Sequence, residues 1–484
     1  MRDDGGFRRV FGLRHVLERV HVVPSDQTIA RLSYLVKEVR AMSVESFHLN
    51  HNGRNNGWDN ISRDNASLGQ RLVTEAQDPQ IAFRPRLPNT AEQYLTNFRI
   101  EDNNHSEVAA VTTPFERDAT AVDRSFRRIF NLADSNRNGF ITSDEAHRVL
   151  ANRSLTGNDA CVAAAMLAHF DEIKKLSSDQ WGWESEISRQ DVNRLMTLWR
   201  TNLQGGAMTQ AERETVEGMQ SRIARTREML ANSSMDLFAD RTNPIGSVRP
   251  EGFIQGQTGN CNFVAAAAGM ANLRPSTLHS MFTQNRDGSY TVNFHDDSCN
   301  GRRVPITVQP PTQAELAYHE TGSAHGTYGM VMQMAHGRYF DRNAARGSEV
   351  EAGHGWAVHR GLRMLTGEDY SFNVCRTMSD EALYNRINEN LRRRNPVNGI
   401  FTSAGDSEPT GLPSWHHYTI MRMEDDPAHP GDHTRANIVL RNPHGCSGLS
   451  QNAPADVSDL GNGLIRMSYR RFAARNNFFA YLNP

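Results

Sequence analysis

The sequence predicts an α+β protein in which a helical N-terminal part precedes a mixed domain of helices and strands. Between residues 119 and 231, apolar residues recur every three or four positions, which is the spacing of amphipathic helices. From about Ser234 to Pro484, short apolar stretches alternate with glycine and proline, which predicts one mixed domain of about 250 residues. At roughly 100–200 residues per domain, a chain of 484 residues has room for two to four domains.

Four successive parts are predicted along the chain. Residues 1–115 form a helical and polar N-terminal region, in which an apolar helical face at residues 32–39 precedes a partly disordered stretch rich in Asn, Asp and Gly. Residues 116–205 form a helical module, residues 206–235 a solvated linker helix, and residues 236–484 the mixed domain. The N-terminal region could be an inhibitory pro-segment or a delivery signal, and both roles stay open.

The composition excludes several classes of protein. The formal net charge of −2 provides no basic field for nucleic acid or an anionic membrane. The longest apolar runs, Cys161–Ala168 and Phe263–Ala271, are far shorter than the roughly 20 residues of a transmembrane helix. We therefore expect no nucleic-acid partner and no transmembrane segment, and the oligomeric state is left open.

Cysteine and lysine usage predict the compartment. Five scattered cysteines do not suit a disulfide framework, which indicates a reducing environment. The charged N terminus lacks the apolar core of a secretory signal peptide. Only three of the 53 basic residues are lysines, a pattern that would limit ubiquitination in a foreign cytosol. We expect a cytoplasmic protein, or an effector delivered by a route that needs no signal peptide.

A twelve-residue loop between two predicted helices has the pattern of a calcium-binding EF-hand loop. It runs from Asp134 to Glu145, with Gly139 at the sixth position, where the chain must turn sharply. The predicted oxygen ligands come from Asp134, Asn136, Asn138, the Phe140 carbonyl, Thr142 and Glu145. These oxygen ligands suit Ca²⁺, which we expect as the cofactor. Because few of the ligands are charged, we expect a dissociation constant of about 10⁻⁵ M or weaker.

A second, weaker candidate loop follows the first. Its matching residues are Phe170, Asp171, Gly182, Ile187, Ser188 and Asp191. The spacing is irregular and the set of oxygen ligands is incomplete. We therefore predict that residues 116–205 form an EF-hand pair whose second hand is degenerate and binds no ion. Ile141, at the eighth position of the first loop, would pair with the second loop.

The segment Gln255–Ala271 places a cysteine at the start of an Ala-rich helix. A glycine-rich turn delivers Cys261 to the helix N terminus, where the helix dipole and exposed N–H groups would lower the pKa of the thiol. Since the thiolate is the nucleophile, this position suits covalent catalysis. The side-chain amide of Gln255 can lie beside the Cys261 main-chain N–H and complete an oxyanion hole.

A reactive thiol requires a base, and the base requires a group that orients it. The segment Pro413–Met423 predicts a strand that carries His416, and Ala436–Gly445 predicts a neighbouring strand that ends at Asn442. An Asn carboxamide there could accept the imidazole N–H and fix its tautomer. His417 is the alternative base.

Three motifs in this order resemble the active-site motifs of calpain-type cysteine proteases of the papain superfamily. They are Gln255-Gly256-x-x-Gly259-x-Cys261, His416-x-Tyr418 and Arg441-Asn442-Pro443-x-Gly445. The resemblance extends from about Leu237 to Pro484 and implies a papain-like, two-lobed domain. It implies that Cys261 on the helical lobe is the nucleophile, while His416 and Asn442 on the β-rich lobe are the general base and its orienter. Gln255 would be the oxyanion donor, and the position of Tyr418 favours His416 over His417.

The chain departs from the family pattern at four positions near this site. Asn260 and Asn262 flank the cysteine where the family has Asp and Trp, His444 stands in place of a Trp, and Gln333 in place of a Glu. The resemblance implies that these positions shape the cleft.

The sequence thus predicts a calcium-linked cysteine endopeptidase that cleaves protein or peptide substrates through a Cys-His-Asn triad and a thioester intermediate. Two alternatives stay open. A degenerate protease fold could serve as a non-catalytic, calcium-responsive interaction module, or the same triad could perform acyl transfer or deamidation.

Overall fold

The structure is a computed structural model, and it describes most of the chain from residue 119 onward. The described residues are 119–177, 185–256, 258–296, 301–344, 349–353, 358–401, 411–413, 416–450, 452–473 and 478–482. The predicted N-terminal region 1–115 lies outside them, as does Gly182 of the predicted second hand. All the described residues fall within one unit of the chain, residues 91–484.

The first described part is helical, as its apolar periodicity predicts. Its helices are α1 (Ala119–Ala133), α2 (Ser143–Leu150), α3 (Gly157–Ala168), α4 (Phe170–Ile173) and α5 (Arg189–Leu203). Two short strands, β1 (Phe140–Ile141) and β2 (Ile187–Ser188), pair antiparallel and join the α1–α2 loop to the segment before α5. Capping boxes begin α2 and α5 and satisfy N–H groups of their first turns.

The rest of the described chain mixes helices and strands, which confirms the predicted class. Its helices are α6 (Gln210–Ala231), α7 (Pro244–Ser247), α8 (Cys261–Leu273), α9 (Pro275–His279), α10 (Gln313–His319), α11 (Tyr328–Phe340), α12 (Glu349–Ala352), α13 (Val358–Thr366), α14 (Asp380–Arg392) and α15 (Tyr469–Ala473). Its strands are β3 (Phe282–Gln284), β4 (Tyr290–His295), β5 (Arg303–Val308), β6 (Tyr370–Val374), β7 (Val397–Phe401), β8 (His416–Glu424), β9 (Asn437–Arg441), β10 (Val457–Gly461), β11 (Leu464–Ser468) and β12 (Phe478–Leu482). Among the described helices, none combines the length and the apolar character needed to cross a membrane.

These ten strands form two antiparallel sheets. The smaller has the order β3-β4-β5, and the larger has the order β10-β11-β9-β8-β7-β12-β6. Strand β8 lies between β7 and β9, with His416 opposite Phe401 and Thr419 opposite Arg441. Since β8 and β9 run antiparallel, the start of β8 lies beside the end of β9.

Three apolar cores support these elements. The first lies among the N-terminal helices and contains Phe126 and Trp199. The second lies around α8, α11 and the smaller sheet and contains Phe263 and Tyr328. The third lies against the larger sheet and contains Phe472. Each fully buried aromatic side chain contributes about 1.5–3 kcal/mol relative to an exposed one.

Helix α6 differs from the solvated linker helix that the sequence predicts. Val216, Met219 and Ile223 are buried in the first core, because their three- and four-residue spacing puts them on one face of the helix. The interleaved Glu and Arg residues suggested exposure, but the apolar face is packed against the N-terminal helices.

Helix α10 is shared between two cores. Ala314 lies in the first core, whereas Leu316 lies in the second. The hydroxyl of Thr312, the residue before the helix, donates to the Leu150 carbonyl over 2.6 Å. The helix therefore joins the N-terminal helices to the mixed domain.

Candidate active site

Cys261 is the first residue of α8, a helix whose middle is fully enclosed. All residues from Asn262 to Ala271 are buried, while Cys261 itself is partly exposed. The alanines let neighbouring elements approach the helix closely on several sides. The enclosed helix thus gives Cys261 a rigid support.

Burial raises the pKa of the Cys261 thiol to about 11, although the main-chain N–H groups of His417, Asn262 and Cys261 itself lower it. This result differs from the lowered pKa that a helix N terminus predicts. The N–H groups act in the expected direction, but the desolvation of the thiolate outweighs them. The resting thiol is therefore protonated at neutral pH and depends on a base.

His416 and Asn442 meet at the junction of β8 and β9. His416 Nε2 lies 2.8 Å from Asn442 Oδ1, and both side chains are buried. Asn442 Nδ2 donates to the Ser447 carbonyl over 3.1 Å, which fixes the orientation of the carboxamide. Because Oδ1 can only accept, His416 Nε2 carries the proton and Nδ1 is the basic nitrogen.

Strand β8 brings this pair to the thiol. The Thr419 hydroxyl donates to the Ala265 carbonyl over 2.6 Å and holds β8 against α8. The main-chain N–H of His417 is hydrogen-bonded to Cys261. The sulfur is therefore in contact with the strand that begins at His416.

The His417 ring has different surroundings from that of His416. It is buried, and neither ring nitrogen has a hydrogen-bond partner among the described residues. Burial lowers the pKa of His417 to about 3. Of the two candidate bases, His416 is the one whose ring is bonded to Asn442.

Burial also lowers the pKa of His416 well below 6.5, the neighbouring His444 and His417 rings lower it further, and the Asn442 hydrogen bond raises it. The imidazole is therefore neutral near pH 7. Together with the protonated thiol, it forms a neutral resting pair.

Gln255 lies in a buried, hydrogen-bonded turn. Its Nε2 donates to the Thr258 carbonyl, and its Oε1 is buried with no hydrogen-bond partner among the described residues. Its main-chain N–H donates to the Pro443 carbonyl over 2.9 Å, so the turn before Cys261 is joined to the loop after Asn442. In this structure the side-chain N–H of Gln255 is thus engaged by Thr258 rather than directed at a developing oxyanion.

Two of the departures from the family pattern are in contact with each other. Asn260 Nδ2 donates to Gln333 Oε1 over 3.0 Å, and Gln333 Nε2 donates to the Ile254 carbonyl over 3.0 Å. Both amides are fully buried. A neutral amide pair needs no counter-ion when it is buried. The sequence identified both positions but carried no signal that they meet.

His444 is a further part of this site. Its ring is stacked on the His416 ring, with centroids 4.8 Å apart and planes differing by 5°. The sequence marked His444 only as a departure from the family pattern, and its contact with the base became visible only in the fold.

The predicted calcium loop contains a carboxylate with an unsatisfied oxygen. Asp134 Oδ2 accepts the Gly139 N–H over 3.1 Å and lies 3.5 Å from Arg189 Nη2. Asp134 Oδ1 is buried with no hydrogen-bond partner among the described residues. Gly139 has φ +87°, a conformation that suits glycine. A buried, unpaired carboxylate oxygen is costly, so the loop fits a bound cation.

Hydrogen bonds within the loop arrange the other predicted ligands. Asn136 Oδ1 accepts the Asn138 N–H, and Asn138 Oδ1 accepts the Phe140 N–H, each over 2.9 Å. Burial raises the pKa of Glu145, but hydrogen bonds from Thr142 and Ser135 outweigh it, so that the pKa lies below 4.5. The described residues contain no cluster of three or more His, Cys, Asp or Glu that could hold a metal. A cation here would depend on amide, hydroxyl and carbonyl oxygens as well.

The second hand is described only in part. Ile141 lies opposite Ile187, as the predicted pairing of the two loops requires. Asp191 Oδ1 accepts from the main-chain N–H and the hydroxyl of Ser177, over 2.8 and 2.7 Å. That carboxylate is therefore engaged in bonds within the protein.

Comparison with known proteins identifies the domain. A search of the curated proteins found no match. The family model described as calpain family cysteine protease matches residues 209–455, slightly more than half of the chain, and includes Cys261, His416 and Asn442. The chain therefore belongs to the calpain family of cysteine proteases.

Proposed function

We propose that Cys261, His416 and Asn442 form the catalytic triad of an endopeptidase. The contact between His416 Nε2 and Asn442 Oδ1 carries the proposal, because it orients the ring on the strand that contacts the thiol. An oriented imidazole at the start of a strand that contacts a helix-start cysteine supports the proposal, because nucleophilic catalysis requires a base that can reach the thiol.

The proposed reaction proceeds through a thioester. The Cys261 sulfur attacks the scissile carbonyl carbon while His416 Nδ1 takes the thiol proton, which forms a C–S bond and an oxyanion. The imidazolium then gives that proton to the amide nitrogen, the C–N bond breaks, and the amine product leaves. Water, deprotonated by the same nitrogen, attacks the thioester, and the acid product and the thiol are released.

The neutral resting pair determines how the first step proceeds. The pKa of the thiol is raised and that of the imidazole is lowered, so the thiol proton must pass to the imidazole before or during the attack. Asn442 stabilises the imidazolium by accepting its Nε2–H.

The oxyanion would be held at the start of α8. The main-chain N–H of Cys261 supplies one donor, and Gln255 supplies the second once its Nε2 leaves the Thr258 carbonyl. Substrate binding would therefore rearrange this turn. Gln255→Ala should lower kcat by roughly 10²–10³-fold with a smaller change in KM.

Labelling with an electrophilic peptide probe tests the triad. The wild type and Cys446→Ala should be labelled and should cleave casein, whereas Cys261→Ala should do neither. Cys446 is a suitable control because it is also a partly exposed cysteine. Mass spectrometry of the products separates cleavage from acyl transfer or deamidation. A folded wild type that is neither labelled nor active would favour a non-catalytic interaction module.

We further propose that the loop Asp134–Glu145 binds one Ca²⁺. The buried, unpaired Asp134 Oδ1 supports this assignment. The ligands would be Asp134, Asn136, Asn138, the Phe140 carbonyl, Thr142 and Glu145. The ion would supply a positive charge at Asp134 Oδ1, and the second hand would act as a structural partner without an ion.

Calorimetry and thermal unfolding with calcium test this site. We expect one binding event, a rise in Tm with calcium, and loss of both in Glu145→Gln. Asp144→Asn removes the same charge from an exposed neighbour in the same helical turn and should bind calcium normally. Two equivalent sites would contradict a degenerate second hand. Turnover with and without calcium shows whether the ion is linked to catalysis.

A further inference from the structure

The ring of His444 lies flat against the ring of His416. The 4.8 Å separation and nearly parallel planes are a stacked arrangement of the kind that aromatic rings favour. The main-chain N–H of His444 donates to Asn442 Oδ1 over 3.0 Å, and the same oxygen bonds to His416. His444 therefore contacts both the proposed base, His416, and the residue that orients it, Asn442.

His444 also connects this pair to the turn that precedes the thiol. Its ring is hydrogen-bonded to the main chain of Gly256. Next to it, the Pro443 carbonyl accepts the Gln255 N–H. Through Pro443 and His444, the base, the residue that orients it and the turn leading to Cys261 are held together.

We propose that His444 is a positioning residue that keeps the His416 ring in the plane required by Asn442, and that it must stay uncharged for turnover. This inference rests on the proposed function, since it takes Cys261 and His416 as the reacting pair. His416 becomes an imidazolium during the attack. A neutral His444 ring can stack on that cation, whereas a protonated ring repels it.

The titratable groups that face the two stacked rings are neutral in the resting enzyme. They are His417 and Tyr418, both on β8. Arg441, at the end of β9, carries charge but interacts with Glu251 and Tyr328. A proton on His444 therefore has no carboxylate beside it among the described residues.

Burial disfavours a proton on both rings, and the neighbouring His444 disfavours it further on His416. Burial lowers the pKa of His444 below 6.5, although its bond to Gly256 raises it, while the pKa of His416 is lowered well below 6.5. As the pH falls, His444 takes up a proton before His416 does. Activity is then lost while His416 is still able to act as a base.

The pH profile of kcat/KM on a peptide substrate tests this proposal. His444→Phe keeps a flat ring that cannot be protonated, and His444→Ala removes the ring. His429→Phe, in the exposed loop at the far end of β8, is the matched control. His444→Trp replaces the Phe variant if that variant does not fold. Thermal unfolding and probe labelling of Cys261 identify the folded variants.

We expect His444→Phe to keep activity within about tenfold near neutral pH and to lose it only at lower pH than the wild type. Its ratio of kcat/KM at about pH 5 to that at about pH 7.5 should exceed the wild-type ratio by roughly threefold or more. His444→Ala should lose roughly ten- to hundredfold in kcat at every pH, with a smaller change in KM. His429→Phe should follow the wild type.

Two outcomes overturn the inference and leave the triad intact. One is a His444→Phe profile that coincides with that of an active wild type, and the other is normal turnover by His444→Ala. A wild type without labelling or turnover would overturn the triad itself, and this inference with it.

Discussion

The carbonyl oxygen of His319 fills the space that a side chain on Gly256 would need. A Cβ at Gly256 would lie 1.7 Å from that oxygen, and Gly256 has φ +63°. The end of helix α10 is thus packed directly against the turn that leads to the nucleophile. Helix α10 also contacts the N-terminal helices, so the active-site turn is supported from outside the mixed domain.

Gly256→Ala should therefore lower the free energy of unfolding by more than the strain of a left-handed alanine alone. The matched control is Gly288→Ala, where φ is +82° and a Cβ would have no atom of the described residues within 4 Å. We expect Gly288→Ala to lower the free energy of unfolding by about 1–2 kcal/mol. Gly256→Ala should lose more than this in urea denaturation and should also lose most of its turnover. Equal losses in the two variants would show that the His319 contact gives way easily.

Arg222 on α6 should stabilise the end of α10, which is packed against the active-site turn. Its guanidinium is buried, donates to the Tyr318 carbonyl over 2.5 Å and pairs with Glu320 at 2.9 Å. Arg222→Met removes both of these bonds from a buried position, so we expect a loss of about 1–3 kcal/mol in the free energy of unfolding.

Arg213→Met is the control on the same helix, since its pair with Glu217 is exposed at 3.8 Å. It should change the free energy of unfolding by less than about 0.5 kcal/mol. Urea denaturation measures both variants. Similar values for the two would argue against a specific role of the Tyr318–Glu320 segment.

His417 should make the protein less stable in acid. Its pKa is about 3 in the folded state, against 6.5 as the ordinary value, so the unfolded chain binds the proton more readily. The stability associated with the neutral ring is present above pH 6.5 and is lost as the pH falls towards 3. The slope approaches about 1.4 kcal/mol per pH unit.

His417→Leu removes this titration along with two unsatisfied ring nitrogens. At pH 7 we expect the variant to be at least as stable as the wild type. At about pH 4.5 its advantage in the free energy of unfolding should be about 2–3 kcal/mol larger than at pH 7. Turnover should persist, since the main-chain N–H that contacts Cys261 is retained. Parallel stability curves for the two proteins between pH 7 and 4.5 would contradict this prediction.

Arg189 should compete with calcium in the proposed loop. Its guanidinium lies 3.5 Å from Asp134 Oδ2 and is mostly exposed. Arg189→Met removes this cation, and an exposed pair of this kind corresponds to roughly a one- to fivefold tighter calcium affinity. Arg194 lies on the same helix as Arg189 and pairs with Glu212 of α6. Arg194→Met should leave the calcium affinity unchanged in calorimetry. Weaker binding by Arg189→Met would indicate that the arginine supports the loop.

Local patterns in the sequence predicted the features that depend on few neighbours. The helical periodicity of residues 119–133, the sharp turn at Gly139 and the helix start at Cys261 all follow from residues close in the chain. The junction of His416 with Asn442 was also accessible, because it depends on two neighbouring antiparallel strands and on a resemblance that covers both.

The remaining features depend on what lies across the fold. The raised pKa of Cys261 reflects desolvation by distant elements, whereas the sequence shows only the helix dipole. The contact between Asn260 and Gln333, and the stacking of His444 on His416, join residues with no pattern linking them. Helix α6 was misjudged because an amphipathic face does not itself say whether a partner covers it.

The sharing of α10 between two cores has a consequence for how this protein can be divided. If the connection after α6 were cut, Ala314 and Thr312 would still hold the two pieces together through their burial and hydrogen bonding. A gene fragment that encodes only the later piece would leave that side of α10 exposed to water. The N-terminal helices therefore cover a face of α10 that the mixed domain alone would leave open.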